Sequence, residues 1–231
     1  MTSSQGIPFR HVAIEGPIGV GKTSLVQLLA DRFEGVMVLE DITNPFLPAF
    51  YEGRPGAAFQ VQIYFLLSRF QQQREIAQMH LFQRLVLADY TFPKDRIFAY
   101  LNLDDDDLRV YEKLYPVLEN ELPKPDLVIY MQASIEVLLE RIQRRARDYE
   151  QAIDPAYLER LCEAYSYYFF HYRETPLLVV NTDEIDFVNN PADQEALIEQ
   201  IGRCRRGTQV YVPLGSTRTE TFSGPGRGGP P

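Results

Sequence analysis

The chain has 231 residues, enough for one large domain, and its 45% apolar and 24% charged fractions are those of an ordinary globular protein. A net charge of −9 excludes a general binder of nucleic acid or of anionic membranes, since such partners need a surplus of Lys and Arg. An anionic ligand must therefore be held by a local cluster of cations.

The opening segment MTSSQGIPFR has no apolar core of the kind an export signal needs, and no run approaches the length of a membrane span. The expected setting is the cytoplasm. Five short apolar runs read as strands buried on both faces: His11–Glu15, Val36–Glu40, Leu85–Asp89, Leu127–Met131 and Leu177–Asn181. Helical patterns over Lys22–Phe33, Phe59–Phe82, Asp104–Leu122, Ser134–Arg145, Pro155–Tyr172 and Pro191–Arg203 alternate with them. That order predicts an α/β domain over residues 1–206, with a five-stranded parallel sheet and helices on both faces. Residues 207–231, rich in Gly, Pro, Ser and Thr toward the end, read as a flexible tail. The run Asp104–Asp107 reads as a helix cap facing the positive end of the helix dipole. Cys162 and Cys204 stand too far apart for a metal knuckle.

Gly16-Pro17-Ile18-Gly19-Val20-Gly21-Lys22-Thr23 fits the phosphate-loop pattern, with a strand before it and a helix after it, as that motif requires. Gly16, Gly19 and Gly21 let the backbone curl so that successive N–H groups face phosphate oxygens, and the helix start adds partial positive charge. Lys22 is placed to reach the β- and γ-phosphates of ATP, Ser24 follows at the start of the helix, and Thr23 is the candidate Mg²⁺ ligand. The chain lacks the N-K-x-D signature that a GTPase uses to read its base; the nearest match, Asn181-Thr182-Asp183, has no lysine. Its length leaves no room for motor or transporter machinery. A small kinase of the phosphate-loop fold remains. It needs a carboxylate near the acceptor hydroxyl, for which Asp89 stands at the ligand edge of the sheet. It also needs cations over the moving phosphoryl group, and Arg141, Arg144, Arg145 and Arg147 form an arginine-rich lid candidate.

Together these motifs resemble the deoxynucleoside kinase family, most closely its bacterial deoxyadenosine/deoxyguanosine kinase branch. The resemblance runs from about Arg10 to Asn181 and is carried by Glu40-Asp-Ile-Thr-Asn-Pro-Phe-Leu, by Tyr51, Gln62 and Arg69, by Asp95-Arg96, and by Arg141…Arg145-Ala-Arg147-Asp-Tyr-Glu150. It implies that Gln62 hydrogen-bonds the acceptor base and that Asp95, held by Arg69, also reads it. Tyr51 and Glu150 would bind the sugar 3′-hydroxyl. Glu40 or Asp89 would sit near the 5′-hydroxyl, with Asp89 as the base, and Arg141, Arg145 and Arg147 would close over the ATP phosphates. The acceptor would be a deoxynucleoside, purine by resemblance, and the enzyme a homodimer through long helices. One departure stands out: the family places an arginine after the third-strand carboxylate, and this chain has Asp89-Tyr90-Thr91. Lys94 or Arg96 is available to replace it. The rival readings are a nucleoside monophosphate kinase, such as thymidylate kinase, and a nucleotide-binding regulatory protein that no longer catalyses.

Overall fold

All five apolar runs form strands in the computed structural model, which describes residues 7–79, 85–145 and 153–213. They are β1 (His11–Glu15), β2 (Val36–Val38), β3 (Val86–Ala88), β4 (Leu127–Gln132) and β5 (Leu177–Asn181). A sixth, β6 (Thr208–Tyr211), pairs with β5 and lies past residue 206, where the tail was expected to begin. The sheet therefore has six strands and not five. β6 escapes a pattern reading because it is a four-residue edge strand whose positions alternate between exposed and half-buried.

The strand order is β2-β3-β1-β4-β5-β6, with every pairing parallel. β1 is central and buried at all five positions, as expected of a strand covered on both faces. β2, at the opposite edge from β6, is only partly buried, so the expectation of burial on both faces fails there.

The helices are α1 (Lys22–Phe33), α2 (Leu47–Tyr51), α3 (Ala57–Met79), α4 (Lys94–Asn102), α5 (Asp105–Glu119), α6 (Ile135–Arg145), α7 (Pro155–His171) and α8 (Pro191–Arg203). Their starts follow from local chemistry. Asp104 caps α5 by accepting from the N–H groups of Asp106 and Asp107 at 3.1 and 2.9 Å, as its acidic run predicted. Asp154 and Asn190 cap α7 and α8 in the same way, each followed by a proline that suits the first helical turn. The two short helices α2 and α4 carry too little periodicity to be read in advance.

Two apolar clusters anchor the site. One surrounds β1, β4 and β5 and includes Leu25, Leu29, Ile129, Leu138, Leu161 and Leu197. The other joins α3, α4 and α5 through Leu66, Phe92, Ala99, Tyr111 and Tyr115. Because all strands run the same way, residues at or just past their carboxyl ends, Glu15, Glu40, Asp89, Gln132 and Thr182, gather on one edge.

Candidate active site

The donor half of the site is the turn between β1 and α1. Gly16 sits at φ 146°, and a Cβ there would lie 2.3 Å from the carbonyl oxygen of Met131, so the turn closes against β4 only with glycine. Gly21, at φ 103°, ends the turn and starts α1, with Phe187 packed where a Cβ would point. Gly19 faces Ile142 and Leu138 of α6 in the same manner. Lys22 reaches back over this loop, its Nζ donating to the carbonyls of Gly16 and Pro17 at 2.7 and 3.1 Å. Burial, and behind it repulsion from Lys94, pushes its ammonium down to about 8, while Glu15, Glu40 and Asp89 pull the other way.

Thr23 Oγ1 donates to Asp89 Oδ2 at 3.0 Å. The second oxygen of Asp89 accepts from the backbone N–H of Glu40 at 2.7 Å. One carboxylate thus ties the phosphate loop to the segment after β2. An all-oxygen pair of a hydroxyl and a carboxylate suits a hard cation held jointly with nucleotide phosphates.

The half that the resemblance assigns to the acceptor is built around Arg69 on α3. Its Nε and Nη2 donate to Glu40 Oε1 at 3.0 and 2.7 Å, and its Nη1 donates to Asp95 Oδ2. Gln62, two turns earlier on the same helix face, donates through Nε2 to both the carbonyl and Oδ1 of Asp95 at 2.9 and 2.7 Å. Tyr111 adds a third donor to Asp95 at 2.8 Å. Lys94, at the start of α4, donates to Glu40 Oε2. Burial alone would raise the Glu40 carboxyl, but Lys94 and Arg69 outweigh it and hold it down at about 2. Asp95 is wholly buried, and burial pushes its carboxyl up against the pull of Arg69, Tyr111 and Gln62.

A wholly buried carboxylate, Glu15, joins the two halves. Its Oε1 accepts from the Thr91 N–H and hydroxyl at 2.6 and 2.9 Å, and its Oε2 from the Gly16 N–H at 3.3 Å and Tyr165 OH at 3.4 Å. Burial raises its carboxyl, opposed by Lys94, Thr91 and Lys22. Nothing but its place at the end of a buried strand marked Glu15 in the sequence, and Tyr111 had no mark at all.

The expected residues distribute unevenly. Gln62, Arg69, Asp95, Glu40, Asp89 and Thr23 form one connected network, and Lys22 and Ser24 flank Thr23 on α1. Tyr51 ends α2 and is 67% exposed, so it is not core. Arg141 lies on α6 and donates to Thr182 Oγ1 and carbonyl at 2.9 and 2.6 Å and to the Val20 carbonyl at 3.4 Å. Arg145 is exposed on the last turn of α6. Arg147 and Glu150 lie outside the described residues. Tyr90 is fully buried, its hydroxyl donating to Gln72 at 3.0 Å, so it fills core space where a phosphate-facing side chain was sought. Arg96 also turns away, pairing with Glu112 at 2.9 and 3.0 Å.

A glycine turn with its lysine and threonine, on the same sheet edge as the buried Gln62–Arg69–Asp95–Glu40 network, defines a phosphate-loop phosphotransferase. The model of the deoxynucleoside kinase family matches residues 12–204, and the chain belongs to that family. It is 37% identical over 196 residues to a deoxyguanosine kinase of Bacillus subtilis, covering 82% of this chain and 95% of that protein. A deoxyadenosine kinase of Dictyostelium discoideum is also 37% identical, over 198 residues that cover 83% of this chain and 77% of the relative. Among solved structures, deoxyadenosine kinase from M. mycoides with bound dATP superposes with a TM-score of 0.70 at 27% identity, covering 83% and 98% of the two chains. Among the described residues no helix is long and apolar enough to cross a membrane.

Proposed function

We propose that this protein transfers the γ-phosphate of ATP to the 5′-hydroxyl of a purine deoxynucleoside, as a salvage enzyme of the cytoplasm. The observation that carries the reading is the acceptor network. Its two buried cations, Arg69 and Lys94, are matched by two buried carboxylates, Glu40 and Asp95. Such a charge-matched network suits an uncharged sugar and base. A monophosphate acceptor would need surplus cations there, so a thymidylate kinase is disfavoured. Relatives named as deoxyguanosine and deoxyadenosine kinases support a purine acceptor.

The geometry divides labour between the two carboxylates. Asp89, expected from its position to act as the base, accepts from Thr23 at 3.0 Å, which supports a role beside the donor phosphates instead. Thr23 and Asp89 are the residues that would hold Mg²⁺, which when bound neutralises charge on the β- and γ-phosphates. Glu40, tied into the Gln62–Arg69–Asp95 network, faces the acceptor and takes the 5′-hydroxyl proton. A carboxyl held at about 2 is a weak base, but in a loose phosphoryl-transfer transition state the hydroxyl gives up its proton late and needs orientation more than deprotonation. Lys22 and the loop N–H groups hold the phosphates in line. Gln62 and Asp95 frame the base, Tyr51 and Glu150 the sugar 3′-hydroxyl, and Arg141, Arg145 and Arg147 guard the donor side. Exposed Val110, Leu114 and Val117 recur on one face of α5, and Leu67 of α3 is exposed as well, which supports a homodimer through these helices.

The test is transfer from γ-labelled ATP to the four deoxynucleosides, their ribose counterparts and thymidine monophosphate. Labelled purine deoxynucleoside 5′-monophosphate is the expected product. Label only on a diphosphate would refute the reading, and no transfer at all would favour a regulatory protein.

A further inference from the structure

We propose that Tyr111 is a positioning residue for acceptor recognition, which through Asp95 fixes the Gln62 side chain so that its carbonyl oxygen is the atom offered to the base. The inference rests on the kinase reading above, in which Gln62 and Asp95 frame the base. The Gln62 amide carries two hydrogens on Nε2. Both partners of that nitrogen are oxygens of one residue, the Asp95 carbonyl at 2.9 Å and Asp95 Oδ1 at 2.7 Å. Turning the amide over would set Oε1 against two acceptors, so Asp95 dictates which way the amide points. Oε1 is then the atom left for a ligand, and it accepts but cannot donate. Its natural partner is an N–H on the edge of a base.

Asp95 orients the amide only if its own carboxylate is held. Arg69 Nη1 donates to Oδ2 and supplies the countercharge. That contact alone leaves Oδ1 free to swing about the last side-chain bond. Gln62 cannot anchor Oδ1, because it is the group being oriented. The anchor comes from α5, where the Tyr111 hydroxyl donates to Oδ1 at 2.8 Å from 16 positions further along the chain. A neutral phenol adds no charge to the pair; what it adds is direction. The phenol is itself immobilised. Tyr111 is wholly buried, its ring centre lies 5.7 Å from that of Tyr115, and Leu66, Phe92 and Ala99 complete the cluster around it. Burial, and behind it the Asp95 charge, raises its phenol far above the usual range, so the hydroxyl keeps its proton and donates.

Tyr115 provides the comparison within the same helix. It lies one turn beyond Tyr111, is 1% exposed, and stacks on Phe92 with ring centres 5.1 Å apart. Its hydroxyl donates to Glu119 Oε1, also at 2.8 Å. The two tyrosines therefore share a helix, an apolar cluster and a phenol–carboxylate bond. They differ in where the bond leads. Glu119 ends α5 and has no tie to Gln62, whereas Asp95 accepts from Gln62 through the very oxygen that Tyr111 holds.

Steady-state rates with Mg²⁺–ATP and deoxyguanosine would be compared for wild type, Tyr111→Phe, Tyr115→Phe, Gln62→Leu and the double variant Tyr111→Phe/Gln62→Leu, with a melting curve for each. Tyr111→Phe should raise KM for deoxyguanosine about 10-fold. Its kcat and its KM for ATP should stay within about threefold of wild type, since the base contact is lost equally from ground and transition states. Tyr115→Phe should keep all three constants within about threefold, whatever its melting temperature loses. Once Gln62 is Leu, removing the Tyr111 hydroxyl should cost less than about threefold more, a coupling that packing alone does not produce. Equal rises in KM for the two tyrosine variants would overturn the assignment. So would a Tyr111→Phe enzyme with an unchanged KM for deoxyguanosine, or the full loss persisting without Gln62. If wild type itself transfers nothing to deoxynucleosides, the kinase reading fails first.

Discussion

Replacing Arg69 by Met removes the one cation that both acceptor-side carboxylates share. Arg69 is 4% exposed, Asp95 is wholly buried, and Glu40 is nearly so. Breaking a buried ion pair from one side leaves an uncompensated charge and costs about 3–5 kcal/mol, far above the 0–1 kcal/mol of exposed pairs. Glu40 keeps Lys94, so most of the loss falls on Asp95. For a domain of this size the melting midpoint should drop by about 6–20 °C. The pH dependence sharpens the test. Burial already raises the Asp95 carboxyl from its usual 3.8, and without Arg69 it rises further. A carboxyl with a folded value above the unfolded one favours the folded state below the unfolded value and loses that advantage as pH climbs through the folded value. The deficit of Arg69→Met relative to wild type should therefore be largest near pH 8 and shrink toward pH 4.5, measured by urea unfolding across that range. Asp95→Asn in the same background should relieve much of it, a coupling a double-mutant cycle reads directly. A loss under about 1 kcal/mol, or one that does not shrink with acid, would refute the claim that this ion pair organises the acceptor half.

Three further outcomes follow from named contacts. With Lys22 lowered to about 8, ATP must bring a proton with it at higher pH, so its Kd should weaken by up to about tenfold per pH unit above 8. Lys22→Met should bind weakly at every pH without that slope, as read by calorimetry. Gly16→Ala should abolish ATP binding while the sheet still forms, because its Cβ would strike the Met131 carbonyl at 2.3 Å; a fluorescent nucleotide titration and circular dichroism separate the two. Tyr90→Phe should lose about 1 kcal/mol of stability with the Gln72 bond and keep wild-type kcat, since the ring fills core.

Much of this fold was legible because its signals are local. Buried parallel strands are short apolar runs, and the phosphate loop is contiguous, so α1 and the five apolar runs, β1 among them, follow from neighbouring residues. β6 and α4 were missed because a half-exposed edge and a nine-residue helix take their stability from tertiary contacts rather than from pattern. The acceptor network came from resemblance alone, since Gln62 and Asp95 are 33 positions apart and only the fold brings them together. Helical spacing put Arg141 and Arg145 on one face, but it could not foresee that Thr182, 41 residues on, captures the first. Glu15 and Tyr111 were the least visible as parts of the site. A carboxylate ending a strand and a tyrosine inside a helix are ordinary until the fold sets them beside Thr91 and Asp95.

The most direct test of the central claim is the ratio of kcat/KM for deoxyguanosine to that for thymidine monophosphate, measured in wild type and in Gln62→Leu. The account predicts a ratio far above one in wild type. In Gln62→Leu, deoxyguanosine turnover should fall by about 10- to 100-fold, with ATP binding intact. A wild-type ratio below one, or a Gln62→Leu enzyme as active on deoxyguanosine as wild type, would contradict it.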